Sequence, residues 1–351
     1  MPKLYTITNE WTEQQWFSTG GTRAKKYLQG PDGRFYYFKR SQYKQATAAK
    51  AGKDFKYEFW NEFIAYEVGS MIGFNMLRYD IAIDGEIMGC ISESMINTEN
   101  QELIEGVKYL QAYLPEFDPF KKEHKTWYTF DVIEKALEFG RLSKFLENVL
   151  ELIVLDALIG NGDRHQENWA FIGTRRLFSD VYPTIIPPQR PSQIAIVKLL
   201  KHREEKIKAT GQELPPSFYT TIHTFAPIYD SGSSLGRELL PEKIDQLLNS
   251  ESELSSYINK GTSEIHWNDK KLSHFQLIRT LLDTPHKEKL VIILEKVVQK
   301  FDEQRVKDYI EKVDGEVPEA YASFRIPPTR KRLIFKIITL RFGMLRTLIY
   351  E

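Results

Sequence analysis

The stretch "IGNGDRHQENWAFI", residues 159–172, decides the interpretation of this chain. It separates a helical pattern that is apolar almost all round, "SKFLENVLELIVLDALIG" (143–160), from the apolar run "WAFI". Such a pattern is typical of a buried helix, and the Gly-Asn-Gly at 160–162 is typical of a helix end followed by a turn. The polar residues packed into this turn are Asp163, Arg164, His165, Glu167 and Asn168. So many polar groups between two apolar segments indicate a candidate site.

The spacing of Asp163 and Asn168 is informative about chemistry. In phosphotransferases a carboxylate in this place orients the acceptor hydroxyl and accepts its proton, and an amide five residues later helps to hold Mg²⁺ near the phosphates. Phosphoryl transfer needs mainly positioning and charge neutralisation, so a loop with fixed ends suits it. The pattern alone is short and common, and the alternative is a loop that merely ends a helix, with His165 in a polar niche.

A second acidic turn occurs in "FAPIYDSGSSLGREL" (225–239), where an apolar strand is predicted to end in Asp230-Ser231-Gly232. Kinases carry a metal-binding Asp-x-Gly turn after the catalytic loop. The alternative is an ordinary turn after a strand. Asp230-Ser231-Gly232 therefore supports a kinase-type site only in combination with the other motifs.

Lys39 lies at the end of the predicted strand "RFYYFK", and Glu62 lies in the predicted helix that follows it. A strand lysine that binds the α- and β-phosphates and pairs with a helix glutamate is the kinase arrangement. Glu58 and Glu67 are rival partners for the lysine. The alternative is that Lys39 and Glu62 are both simply exposed to solvent, as most lysines and glutamates are.

A glycine-containing loop, "FSTGGTRAKKYL" (17–28), precedes these features. Backbone N–H groups at Gly20 and Gly21, with Thr22 beside them, can cradle phosphates, although the loop is neither a Walker A sequence nor GxGxxG. Glycine loop, strand lysine, helix glutamate, catalytic loop and Asp-x-Gly turn follow one another in kinase order. Because chance explains an ordered set poorly, the sequence predicts a site for a nucleotide and Mg²⁺.

The secondary-structure pattern predicts an α+β protein with a two-lobed, protein-kinase-like fold. Residues 1–95 form the predicted small, strand-rich N-lobe, with a helix over 54–74 that begins at Asp54 and ends at Gly73. Residues 96–351 form the larger helical C-lobe. The functional parts assigned to the C-lobe are the catalytic loop (160–168), the metal-binding turn (230–232) and a basic insert (174–220).

Composition excludes several classes of protein. Hydrophobic residues make up 42% and charged residues 27% of the chain, as in ordinary globular proteins. Lysine plus arginine equals aspartate plus glutamate at 48 each, so charge gives no indication of a nucleic-acid or membrane partner. The single cysteine, Cys90, fits a reducing compartment and excludes a disulfide framework. Without a signal-peptide core or a stretch of transmembrane length, the expected location is the cytoplasm.

The motifs together resemble those of HipA-like serine/threonine protein kinases, a bacterial branch of the kinase-like fold that includes the CtkA type. The segments that carry the resemblance are "STGGTRAKKYL", "YYFKRS", "NEFIAYEVGSMIGF", "GNGDRHQEN" and "YDSGSSLG", in order over about residues 17–240. The resemblance implies ATP and Mg²⁺ as cofactors and a protein hydroxyl as acceptor. It implies these roles: Asp163 as catalytic base, Asn168 and Asp230 as metal ligands, and Lys39 as the contact to the ATP phosphates.

Further contacts and a form of regulation follow from the same comparison. His165 is expected beside the nucleotide. The segment 93–97, which begins at Glu93 and includes Met95, lies where the chain passes between the predicted lobes and is expected to give the adenine its backbone hydrogen bonds. Family members can be inactivated by autophosphorylation in the glycine loop, which here contains Ser18, Thr19 and Thr22. HipA carries an extra N-terminal subdomain that binds its antitoxin, and this chain has no room for it before residue 17, which leaves an antitoxin partner open.

Three alternatives stay open on the sequence. The "GDRHxxN" signature also occurs in phosphoinositide kinases, so a lipid or small-molecule acceptor competes with a protein. An inactive kinase-like module would bind ATP without turnover, although it need not keep Lys39, Asp163, Asn168 and Asp230 together. A nucleic-acid binder that uses the basic insert and the basic C-terminal tail is the least favoured.

Overall fold

The computed structural model describes residues 1–14, 25–40, 43–44, 53–185 and 191–350. Contacts group the chain into two compact units. The first unit comprises Met1–Ser94, Glu105–Trp169 and Pro227–Glu351, and the second comprises Met95–Ile104 and Ala170–Ala226.

The chain has the expected α+β arrangement, in which strands predominate up to residue 105 and helices predominate after it. The strands in the described ranges are β1 (Leu4–Ile7), β2 (Thr12–Glu13), β3 (Lys25–Gln29), β4 (Phe35–Arg40), β5 (Tyr43–Lys44), β6 (Lys53–Asp54), β7 (Asp80–Asp84), β8 (Ile87–Glu93), β9 (Gln101–Glu105), β10 (Ala170–Leu177) and β11 (Tyr219–Phe225). The α-helices are α1 (Glu58–Ile72), α2 (Gly106–Tyr113), α3 (Phe130–Phe139), α4 (Leu146–Ile159), α5 (Phe178–Ile185), α6 (Pro191–Ala209), α7 (Pro241–Asn249), α8 (Glu251–Lys260), α9 (His274–Leu282), α10 (Lys287–Lys300), α11 (Glu303–Lys312) and α12 (Pro328–Thr347).

A six-stranded sheet in the order β1-β7-β8-β4-β3-β2 forms the strand-rich part of the first unit. Gly33 turns the chain between β3 and β4 with φ 78°, and Gly85 does the same between β7 and β8 with φ 60°, backbone angles that favour glycine. One side of the sheet buries a cluster of apolar side chains, namely Leu28, Tyr36, Phe38, Ala82 and Ile91. The β3–β4 and β4–β8 pairings fix Lys39 opposite Lys25 and Cys90.

Helix α1 is buried on most of its surface, because it packs against both the sheet and helices of the first unit. It ends at Gly73 in the left-handed conformation, as predicted. Its start differs from the prediction: the N-cap is Tyr57, and Asp54 lies in β6. The residues between Asp54 and Glu58 include Phe55, which is buried, so packing of this aromatic ring extends the chain past the expected cap.

Helix α4 is buried over nearly its whole length and leads into the loop quoted at the outset. It ends at Gly160 with φ 68°. The guanidinium of Arg341, from α12, covers this end and donates to the carbonyls of Ala157, in α4, and Ile258, in α8. A cation at two helix C-termini complements the partial negative charge of their unpaired carbonyls, which fixes where the loop after α4 begins.

The second unit contains the three-stranded sheet β11-β10-β9 and helices α5 and α6. Strand β11 ends at Phe225, so the prediction of a strand that ends in Asp230 is wrong. Pro227 lacks the N–H that would continue a ladder. In the first unit, Ile228 instead makes an isolated bridge with Met76. None of the helices within the described ranges combines the length and apolar character that a membrane crossing needs.

Candidate functional site

The ammonium of Lys39 lies between two carboxylates that come from distant parts of the chain. Its Nζ is 3.2 Å from Glu62 Oε1 and 3.1 Å from Asp230 Oδ1. Burial by itself would lower the pKa of Lys39, but the charges of Asp230 and Glu62 outweigh it and hold the pKa well above its usual value. The lysine is therefore charged, and its position is fixed by both carboxylates.

Helix α1 presents three glutamates, and the structure separates their partners. Glu62 is nearly fully buried and contacts Lys39. Glu58, one turn earlier, pairs with Arg237. Glu67 lies 2.7 Å from Arg305. Glu62 is thus the residue placed against the strand lysine, and the two rivals are engaged elsewhere.

The turn at Asp230 is held in an unusual backbone conformation. Asp230 has φ 57°, in the left-handed region that non-glycine residues adopt rarely. Its N–H donates to the Tyr79 hydroxyl at 3.3 Å, and the N–H of Ser231 donates to Glu62 Oε2 at 2.8 Å. A backbone conformation of this kind costs free energy and persists only where surrounding hydrogen bonds hold it in place. Such conformations are common at functional sites.

Arg164 joins this turn to the loop after α4. Its side chain is 1% exposed, and its Nε and Nη2 donate to Asp156 at 3.0 and 2.9 Å. Nη1 donates to the carbonyl of Asn168 at 2.9 Å and also to that of Tyr229, while Nη2 reaches Ser231 Oγ at 3.2 Å. Burial opposes the charge of Arg164, but the Asp156 carboxylate raises its pKa. One charged group therefore binds both loops of the candidate site.

The loop itself is closed by bonds between its own residues. The N–H of Asp163 donates to Asn161 Oδ1 at 3.2 Å, and Asn168 Nδ2 donates to the carbonyl of Asp163 at 2.8 Å. Asp163 Oδ2 accepts a hydrogen bond from Ser233 Oγ at 2.9 Å. Asp163 and Asn168 on one side and the Asp230 turn on the other are in this way tied into one cluster.

The residues present fit Mg²⁺. Because Asn168 uses its amide nitrogen on Asp163, its oxygen is the group left to act as a ligand, and with the Asp230 carboxylate it offers the hard oxygen donors that Mg²⁺ prefers. Within the described part of the chain no three His, Cys, Asp or Glu side chains form a metal-binding group. Mg²⁺ in nucleotide sites needs only one or two carboxylates, since phosphates and water complete its shell.

Other predicted site residues are not brought into this cluster. The His165 ring is partly exposed and lies 3.5 Å from Glu167. Glu93, the last residue of β8, is 3.1 Å from Arg34, and the N–H of Ser94 donates to Phe35. Met95 belongs to the second unit. The glycine-loop residues Ser18, Thr19, Gly20, Gly21 and Thr22 lie outside the described residues.

Sequence reasoning missed four residues of the cluster: Asp156, Arg164 in its bridging role, Asn61 and Ser233. Asn61 Nδ2 donates to the carbonyls of Gly232 at 3.2 Å and Ser234 at 2.6 Å. A signal for Asp156 was available, because a carboxylate inside the apolar run "LIVLDALIG" needs a buried partner. Nothing local indicated the partners of Asn61 and Ser233.

Comparison with known proteins addresses the fold. No family model matches the chain, and no curated protein matches it in sequence. Among solved structures, the Helicobacter pylori proinflammatory kinase CtkA superposes with a TM-score of 0.66 over 99% of this chain and 96% of that one, at 15% identity. The chain has a CtkA-type kinase fold.

A second solved structure in this comparison is HipA of Shewanella oneidensis MR-1, from a complex with HipB and operator DNA. It has a TM-score of 0.43 at 13% identity and covers 100% of this chain and 68% of that one. At 15% identity the likeness to CtkA concerns the fold alone, so the activity has to be argued from the side chains of the site.

Proposed function

We propose that this protein is an ATP- and Mg²⁺-dependent phosphotransferase of the HipA-like type, which transfers the γ-phosphate of ATP to a serine or threonine hydroxyl of a protein. The observation that carries this proposal is the position of Lys39, buried between Glu62 and Asp230 at 3.2 and 3.1 Å. A lysine that only solubilised the surface would not lie between two buried carboxylates.

Each residue of the cluster has a role in this reaction. Lys39, held by Glu62, contacts the phosphates as a point charge. Asn168 and Asp230 would hold Mg²⁺, and the bound ion would neutralise the charge that develops on the phosphates. Asp163 orients the acceptor hydroxyl and takes its proton.

The acceptor class separates this proposal from its nearest alternative. A lipid or small-molecule kinase would use the same Lys39, Asp163 and Asp230. We favour a protein acceptor because the motifs over about residues 17–240 resemble those of HipA-like serine/threonine protein kinases, and we place the reaction in the cytoplasm, where ATP is available and a single cysteine stays reduced. Incubation with a protein mixture, with phosphoinositide vesicles and with small alcohols, each with γ-labelled ATP, distinguishes the classes.

The test of the catalytic assignment is transfer of ³²P from γ-labelled ATP by wild type and Asp163→Asn. General-base catalysis contributes about a hundredfold or more, so the variant should lose at least that factor. Asp131→Asn is the matched control, because Asp131 pairs with Lys135 on the exposed face of α3. Full activity of Asp163→Asn would refute the assignment. ATP binding without transfer to any acceptor by the wild type would favour the inactive binding module instead.

A further inference from the structure

The hydroxyl of Ser233 occupies the place beside the predicted base where an acceptor hydroxyl would lie. The turn after Asp230 contains three serines, at 231, 233 and 234. Ser231 and Ser234 are buried, and Ser234 Oγ donates to the carbonyl of Ser231 at 2.6 Å. Ser233 is partly exposed, and its Oγ donates to Asp163 Oδ2 at 2.9 Å. Of these three serines, it is the one that combines access with a bond to the base.

The backbone on both sides of Ser233 is fixed. Asn61 donates to the carbonyl of Gly232, which precedes Ser233, and to that of Ser234, which follows it. Asp230, three residues earlier, is bonded to Lys39. The serine therefore stays close to Asp163 and to the candidate metal ligand without a large movement of the chain, which is the positioning that phosphoryl transfer requires.

We propose that Ser233 is an intramolecular phosphate acceptor, and this inference rests on the proposed function. The hydroxyl that is hydrogen-bonded to a general base is the one whose proton that base removes. Ser233 Oγ forms a bond to the γ-phosphorus, and the bond from that phosphorus to the β–γ bridging oxygen breaks, so that ADP leaves with the electron pair. The hydroxyl proton passes to the Asp163 carboxylate and from there to solvent.

The modification limits the activity of the chain that carries it. A phosphoserine brings about 1.5 to 2 negative charges at neutral pH, directly beside the Asp163 carboxylate. Like charges at this distance repel, and the phosphate fills the place where another hydroxyl would bind. The chain phosphorylated on Ser233 therefore transfers no phosphate to a second acceptor. This site is distinct from the hydroxyls of the glycine loop, which lie at 18, 19 and 22.

The experiment is phosphosite mapping by mass spectrometry after incubation of the full chain with ATP and Mg²⁺. We expect phosphate on Ser233 at an initial rate per molecule that does not change over a tenfold range of protein concentration. Ser233→Ala should lose this site, and Ser233→Thr should carry phosphothreonine there. Ser234→Ala, a serine next to it that does not contact Asp163, should keep phosphate on Ser233. Calorimetric binding of ADP with Mg²⁺ should be equal in wild type and Ser233→Ala, so that a lost label reports a lost acceptor.

Two results overturn the inference and leave the proposed function standing: phosphate on other residues or on an added protein while Ser233 stays unmodified, or modification of Ser233 at a rate per molecule that rises with protein concentration. Failure of the function itself looks different. In that case no phosphate reaches any residue or added acceptor, although the wild type binds nucleotide.

Discussion

Helices α4 and α6 differ in how far their charged side chains are buried. Helix α4 is buried almost all round, and the Asp156 carboxylate inside it is paired with Arg164. Of the α6 side chains that the structure describes, Glu204 alone is buried, while Ile194 and Leu199 are 44% and 53% exposed. A charge inside α4 costs free energy unless it is bonded, whereas most charged side chains of α6 are exposed to solvent. The difference shows that the number of charges in a segment does not indicate a site, whereas the buried Asp156–Arg164 pair lies at the candidate site.

The largest effect on stability is expected from Arg164→Met, a substitution in the buried Asp156–Arg164 pair. The variant leaves the buried Asp156 without its cation, and removing one partner of a buried pair costs about 3–5 kcal/mol. The free energy of unfolding from urea titrations measures the loss. Lys206→Met is the matched control on exposed α6 and should change stability by no more than about 0.5 kcal/mol. Equal losses in both variants would contradict the role of Arg164.

Local patterns were enough to predict most elements that position the site. The helical pattern of 143–160, apolar almost all round, predicted α4 and its end at Gly160, and the β-rich run before Lys39 predicted β4. The residues that form each of these patterns are close together in the sequence. The partners of Arg164 are distant, since Tyr229 and Ser231 are 65 and 67 residues away. A single sequence does not show which distant groups are in contact.

Boundaries failed where tertiary packing outweighed a local signal. Asp54 has the side chain of a good N-cap, but buried Phe55 lies between it and the first turn of α1, and the helix begins after Tyr57. The run before Asp230 has the composition of a strand, but Pro227 ends the ladder.

An effect of intermediate size should come from His274, a buried group. Its side chain is 1% exposed, and its Nε2 has no hydrogen-bond partner among the residues that the structure describes. Burial, with Arg341 nearby, lowers its pKa well below 6.5. Below about pH 6.5 the unfolded chain binds a proton that the folded chain does not, so stability falls as pH falls, by at most about 1.4 kcal/mol per pH unit.

The measurement that isolates this histidine is the difference in unfolding free energy between wild type and His274→Leu from pH 7.5 to pH 5.5. The wild type should lose more stability than the variant over this range, because other titrating groups are common to both. Parallel curves would contradict the assignment of a buried neutral imidazole.

The smallest effect is expected on α6. Leu199→Ser removes an apolar side chain that is 53% exposed, so it should change the free energy of unfolding by no more than about 0.5 kcal/mol. Leu155→Ser, in the buried middle of α4, is the matched substitution and should cost several times more, since it leaves both a cavity and a buried hydroxyl. Thermal unfolding of the two variants, measured side by side, tests whether α4 is buried and α6 is exposed.

The cation site is tested most directly by a crystal structure of the protein with a non-hydrolysable ATP analogue and Mn²⁺, which is located by its anomalous scattering. We expect a manganese peak within about 2.5 Å of Asn168 Oδ1 and of an Asp230 carboxylate oxygen, with the nucleotide phosphates against Lys39. A nucleotide bound elsewhere, or a cation that contacts neither Asn168 nor Asp230, would contradict it.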